Sequence, residues 1–161
     1  MHASVLEWVG RIVADNSLAE LPTLEVGSMN VNGTVRQFFT GPYWGVDVAP
    51  GPGVDQVEDA EELVEMPAFY DVVISTEALE HVDRPWKAVA EMARVCVPDG
   101  HVIITARGYD ERGCWEPHSW PNDVTRFSER GMRVLAEDAG LMVQEIAADP
   151  EGPGFFLYAR K

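Results

Sequence analysis

The chain is short of cysteine, of basic residues and of long apolar runs, and each shortage narrows what it can be. Two cysteines, Cys96 and Cys114, occur in 161 residues. That is too few for a disulfide framework, so two reduced thiols in a cytoplasmic protein are expected. Lysine and arginine number 12 against 27 aspartates and glutamates, a formal charge of −15. A surface of that sign repels phosphate backbones and anionic lipid, which argues against nucleic-acid and membrane partners. No apolar run approaches the roughly 20 residues that span a bilayer, and Met1-His2-Ala3-Ser4 lacks the basic start of a secretory signal. Internal repeats and long low-complexity stretches are missing too. With 46% hydrophobic and 24% charged residues, the balance is that of an ordinary globular chain. Two separately cored halves would each sit near the marginal size limit, so one domain over residues 1–161 is expected.

What is present is an alternation of helix and strand patterns. Val5, Trp8, Val9, Ile12 and Val13 fall on one face of a helix, with Ser4 and Glu7 spaced as a capping box at its start. Residues 23–28 form a short buried strand ending at Gly27, and Val35, Phe38 and Phe39 show helical spacing after Gly33. Residues 43–48 are a second strand. Pro50-Gly51-Pro52-Gly53 leaves no room for a helix before a brief third strand at 54–57. The apolar run 71–75 suits a parallel strand buried on both faces. Then comes a helix whose shared face is Trp86, Val89, Met92, Ala93 and Cys96, and a further buried strand at 101–106. An irregular segment from Arg107 to Phe127 leads to a helix capped by Ser128, carrying Met132, Leu135, Ala136 and Ala139 and stopped by Gly140. Two strands, 141–146 and 155–158, close the chain. The alternation predicts an α/β fold: a doubly wound, Rossmann-like, mostly parallel sheet with an antiparallel last strand.

The chemistry starts at the first turn. A glycine after a buried strand lets the backbone pass close to a ligand, and nucleotide-like ligands sit at such turns. The phosphate-loop spacing fails because five residues separate Gly27 from Gly33 and no lysine follows. The dinucleotide pattern fails too, with Met29 and Asn32 at its second and third glycines. Asp47 ends the second strand twenty residues after Gly27, where an acid accepts from ribose hydroxyls. Glu25 lies within the first strand, where an unpaired buried carboxylate would be costly and a cationic ligand would offset the cost. Two carboxylates, a ribose site and no pyrophosphate cradle suit S-adenosylmethionine, a nucleoside bearing a sulfonium and an ammonium.

Several runs carry a resemblance: Glu25-Val26-Gly27-Ser28 followed by Gly33, Gly45-Val46-Asp47-Val48, Tyr70 through Val82 with its Leu79-Glu80-His81-Val82, and Pro98-Asp99-Gly100-His101-Val102-Ile103-Ile104. Over roughly residues 23–147 the chain resembles a class I S-adenosylmethionine-dependent methyltransferase of the small-molecule "type 11" branch. The resemblance implies S-adenosylmethionine as cofactor and a small-molecule acceptor. Glu25, Gly27 and Ser28 would line the methionine end, with Gly33 in the same turn. Asp47 would hold the ribose, with Val48 against the adenine, and Asp59 and Ala60 would meet the adenine edge. Ser75 and Thr76 would close the floor beneath the sulfonium. The sequence departs from the family's E-x-G-x-G-x-G turn, placing Met29 and Val31 at the second and third glycines.

An acceptor that must lose a proton needs a base. His118 and His81 are the candidates. His118 sits in the 107–127 segment, where Trp115, Trp120, Arg112 and Arg126 would form the acceptor pocket; Asp123 and Arg126 are also spaced to pair with each other. No metal site is assigned. A domain that binds S-adenosylmethionine without turnover is the alternative. A nicotinamide oxidoreductase is a weaker one, since the fingerprint glycines and residues for a substrate domain are lacking.

Overall fold

A computed structural model describes residues 2–109 and 123–161. Helix α1 (Ala3–Asp15) buries Val5, Trp8, Val9, Ile12 and Val13, the apolar face its spacing predicts. The predicted capping box does not form. His2 is the N-cap and its side chain makes no capping bond, while the Ser4 hydroxyl, already inside the helix, donates to Asp149 at 2.6 Å. Strand β1 (Thr23–Val26) follows, buried throughout. The helix predicted after Gly33 shrinks to a single 3-10 turn, Val35–Phe38, capped by the Thr34 hydroxyl. Gly41 and Pro42 end the segment before a second turn can form.

Strands β2 (Tyr43–Asp47) and β3 (Gln56–Val57) are joined by a turn and no helix, as Pro50-Gly51-Pro52-Gly53 predicts. Strand β4 (Tyr70–Thr76) leads through a short 3-10 turn, Leu79–His81, into α2 (Pro85–Val95). Strand β5 (Cys96–Arg107), α3 (Glu129–Asp138), β6 (Met142–Ala148) and β7 (Gly154–Arg160) complete the order. Ser128 caps α3 by accepting from the Gly131 amide, and Gly140 follows its end at φ +80°. Trp86 departs from its predicted place. The buried face of α2 centres on Ala88, Val89 and Met92, and the indole beside it is 59% exposed. Cys96 is buried but already belongs to β5.

All seven strands form one sheet in the order β3-β2-β1-β4-β5-β7-β6. Pairing is parallel except along β7, which runs antiparallel to both β5 and β6. Strand alternation feeds two cores. Val72, Ile74 and Ile103 face α1, with Phe156 and Tyr158 of β7. Val73, Val102 and Ile104 face α2 and α3, against Met92, Met132 and Leu157. Among the described residues, no helix is long and apolar enough to cross a membrane.

Candidate active site

The chain adds β2 and β3 on one side of β1 and β4 and β5 on the other. Neighbouring connections therefore leave the sheet in opposite directions between β1 and β4. That reversal opens a crevice outside the strands' carboxyl ends. A cavity of about 580 Å³ occupies it. Its lining includes Glu25, Gly27, Ser28, Gly33, Asp47, Val48, Asp59, Ala60, Ser75 and Thr76, the ten positions singled out for a cofactor, together with His81.

Close approach shapes the first wall. Gly27 has φ +79°, and a Cβ there would stand 2.4 Å from the Cβ of Ala78, in the turn after β4. Only glycine lets the two turns meet. The Gly27 and Ser28 amides both donate to the Val46 carbonyl, at 2.9 and 3.0 Å. Asp47 ties the next pair of turns together, accepting from the Met29 amide at 3.0 Å and from the Ala49 amide at 3.3 Å. Val48 stands at the rim, 75% exposed, and the Asp59 carboxylate accepts from the Glu61 amide at 2.9 Å. The hydroxyls of Ser28, Ser75 and Thr76 are buried and have no hydrogen-bond partner.

Glu25 is not the unpaired carboxylate that the sequence suggests. The Tyr43 hydroxyl donates to it at 2.8 Å, and the Arg36 guanidinium lies 5.0 Å above the Tyr43 ring. Burial pushes the Glu25 pKa up to about 7, with the Tyr43 bond and Arg36 acting against it. The Tyr43 phenol is held far above its usual range by burial and by the carboxylate it touches.

At the far wall, Glu77 takes a left-handed conformation, φ +52°, and its amide donates to the Thr105 carbonyl at 3.0 Å. The Thr105 hydroxyl donates to its carboxylate at 3.2 Å, and Arg107 lies 3.6 Å away. His81 Nδ1 stands 3.0 Å from Asp123 Oδ1. Asp123 also pairs with Arg126, and both residues are buried. The Val124 and Thr125 amides donate to the Glu80 carbonyl, at 2.8 and 3.2 Å, which pins this segment to the cavity's edge. Arg112, Trp115, His118 and Trp120 lie outside the described residues. Three cavity-lining or neighbouring groups escaped the sequence reading as site residues: Glu77, Glu80 and Asp123. The first two stand in the Tyr70 to Val82 run that carries the resemblance, directly after β4, but no role was read for them.

The crevice stands at the topological switch point of an open α/β sheet, where such sheets take their ligands. A family model described as "Methyltransferase domain" matches residues 32–104. The match spans 73 of the 161 residues, from the turn after β1 into β5, and over that stretch the chain is similar to this family. A 1,6-didemethyltoxoflavin-N1-methyltransferase of Burkholderia thailandensis, solved with 1,6-didemethyltoxoflavin and S-adenosylhomocysteine, is similar in structure (TM-score 0.77, 18% identity, covering 99% of this chain and 78% of that one). A S-adenosylmethionine-dependent methyltransferase from Aquifex aeolicus is similar at TM-score 0.69 and 20% identity, with 99% and 93% covered. The [4+2]-cyclase SpnF is similar at TM-score 0.73 and 16% identity, with 97% and 80% covered. No match is found among curated proteins.

Proposed function

We propose that the chain transfers a methyl group from S-adenosylmethionine to a small-molecule acceptor, as a single domain. The observation that carries this reading is the convergence of ten sequence-selected positions on one cavity whose buried hydroxyls lack partners. A nucleoside with an amino-acid tail has the hydroxyl, amine and carboxylate groups to satisfy them. When bound, S-adenosylmethionine supplies the methyl group as a sulfonium. Asp47, at the end of β2, would accept from the ribose hydroxyls while keeping its bonds to the Met29 and Ala49 amides. Val48, Asp59 and Ala60 would border the adenine. Glu25, Gly27, Ser28 and Gly33 would border the amino-acid tail, and Ser75 and Thr76 the floor. The wall carries no lysine or arginine among its described residues, which suits a ligand with two cationic centres.

Methyl transfer draws much of its rate from alignment, so the protein's task is to hold the acceptor in line and keep water out. Among the described residues, His81 is the group placed to take a proton, with Asp123 fixing the ring by its contact with Nδ1. His118, Trp115, Trp120 and Arg112 remain candidates for the acceptor side. Arg126 would act there through Asp123. A domain that binds the cofactor without turnover is favoured by one observation: Met29 lines the cavity in place of a family glycine. Calorimetry with S-adenosylmethionine, S-adenosylhomocysteine and NAD tests the reading. Saturable binding of the first two and none of NAD is the expected result; binding of NAD alone contradicts it.

A further inference from the structure

The far wall of the cavity carries a charge pattern that methyl transfer alone does not call for. Eight of the described lining residues bear carboxyl groups, and His81 is the one basic side chain among them. In a chain of charge −15 an acidic lining is unremarkable by itself, but Glu80 is a different case. It is fully buried, and its carboxyl oxygens have only the backbone amides of Glu80 itself and Arg107 near them, neither at full hydrogen-bond geometry. A carboxyl group in that state is expensive to keep unless a ligand completes it. Glu80 sits in the turn after β4, next to His81. Its own carbonyl accepts from the Val124 and Thr125 amides, which sets it beside the chain that leads into α3.

The groups around Glu80 decide what could complete it. Glu77 adds negative charge, and the Arg107 and Glu80 backbone amides and the Arg126 guanidinium oppose it. Arg126 is already paired with Asp123, which in turn contacts His81, and the Arg107 guanidinium lies near Glu77 and Asp149. An anionic ligand would meet two carboxyls here. A ligand bearing N–H donors would complete the weakly bonded oxygens and relieve the repulsion between Glu77 and Glu80.

We propose that Glu80 is the recognition carboxylate of the acceptor site and that the acceptor is a small amine. The inference rests on the methyltransferase reading for the location of the acceptor. In the free protein, burial first and the charge of Glu77 second push the Glu80 pKa up to about 8, so near pH 7 the group is mostly a neutral acid. An ammonium ion arriving beside it favours the carboxylate, and the acid proton leaves for solvent. One carboxylic acid becomes one carboxylate paired with one ammonium, and one proton is released. The ammonium then gives a further proton to His81 before its nitrogen has a lone pair to accept a methyl group.

The test uses the whole protein saturated with S-adenosylhomocysteine and three probes sharing one ring: benzylamine, benzyl alcohol and benzoate. Ligand-observed nuclear magnetic resonance ranks their binding. Calorimetry at pH 7 in two buffers of different ionisation enthalpy counts protons. The expected result is that benzylamine binds, benzoate does not, and each benzylamine releases close to one proton. Glu80→Gln should weaken benzylamine at least tenfold and abolish proton release while leaving S-adenosylhomocysteine affinity unchanged. Glu80→Asp, which keeps the charge, should retain part of both effects and serves if the glutamine variant fails to fold. Preference for benzoate or benzyl alcohol, no binding of benzylamine, or benzylamine binding undiminished in both variants overturns the proposal. Failure of S-adenosylhomocysteine to bind the parent protein instead overturns the methyltransferase reading, and this inference with it.

Discussion

The two halves of the sheet are held together differently. From β4 to β6, helices α2 and α3 close one face over apolar side chains that are almost fully buried. From β1 to β3 no α-helix covers the connections. A 3-10 turn joins β1 to β2, and a proline-glycine turn joins β2 to β3. Polar bonds take over there. Asp47 holds two backbone amides, and Asp55 accepts from the Gly45 amide at 2.8 Å and pairs with Arg36 at 3.2 Å. The cavity borders the strands of this thin half and the end of β4. The contrast teaches that the crevice is built from strand ends and a tight glycine turn, while the packed helices supply stability. Substitutions in the two halves should therefore have separable effects.

The largest expected effect lies in the thick half. Met92→Ala removes a fully buried side chain from α2 and should lower unfolding free energy by about 2–5 kcal/mol. Urea unfolding measures this, and S-adenosylhomocysteine affinity of the folded protein should stay the same. A matching loss of affinity would break the separation. In the thin half, Asp47→Ala should act the other way round. Losing charge-assisted bonds of about 1.5–3 kcal/mol each should weaken S-adenosylhomocysteine more than tenfold, with a smaller change in stability. Equal binding by parent and variant would remove Asp47 from the ribose role.

Gly27→Ala sits where the halves meet. The left-handed backbone and the contact with Ala78 should cost about 1–3 kcal/mol of stability, read from the shift in urea midpoint, and should weaken binding as well. A pH series gives a gentler probe. Glu25 and Glu80 have folded pKa values raised to about 7 and about 8, from an ordinary 4.5. Between those limits the native state binds more protons than the unfolded chain. Their contribution is thus fully present below about pH 4.5 and is lost as pH rises through 7 and 8. Each group contributes a slope of up to about 1.4 kcal/mol per pH unit. Glu25→Gln should flatten the curve up to pH 7, measured by thermal unfolding without ligand. The smallest effect is expected at Trp86. Its indole is mostly in water, so Trp86→Ala should change stability by less than about 0.5 kcal/mol; a drop of several degrees in melting temperature would show that the indole packs.

The sequence was most readable where burial on both faces left a continuous apolar run. Strands β4 and β5 are of that kind, and the positions closing them followed. The spacing from Gly27 to Asp47 was legible because it is local in a βαβ-like unit, even with its helix reduced to one turn. Contacts between distant segments were not legible. The Tyr43 hydroxyl reaches Glu25 across neighbouring strands, and Asp123 meets His81 from the far side of the 107–127 segment. The capping box failed for a similar reason. Ser4 satisfies Asp149, 145 positions away, and such a partner cannot be seen from four residues. Trp86 shows that helical spacing defines a face without fixing its edges.

The central claim, that the crevice at the ends of β1, β2 and β4 is the cofactor site, is tested most directly by backbone amide spectra during titration with S-adenosylhomocysteine. The account predicts the largest shifts at Gly27, Ser28, Asp47, Val48, Ser75 and Thr76, saturating at one ligand per chain and lost in Asp47→Ala. Shifts centred elsewhere on the sheet, or unchanged spectra at saturating ligand, would contradict it.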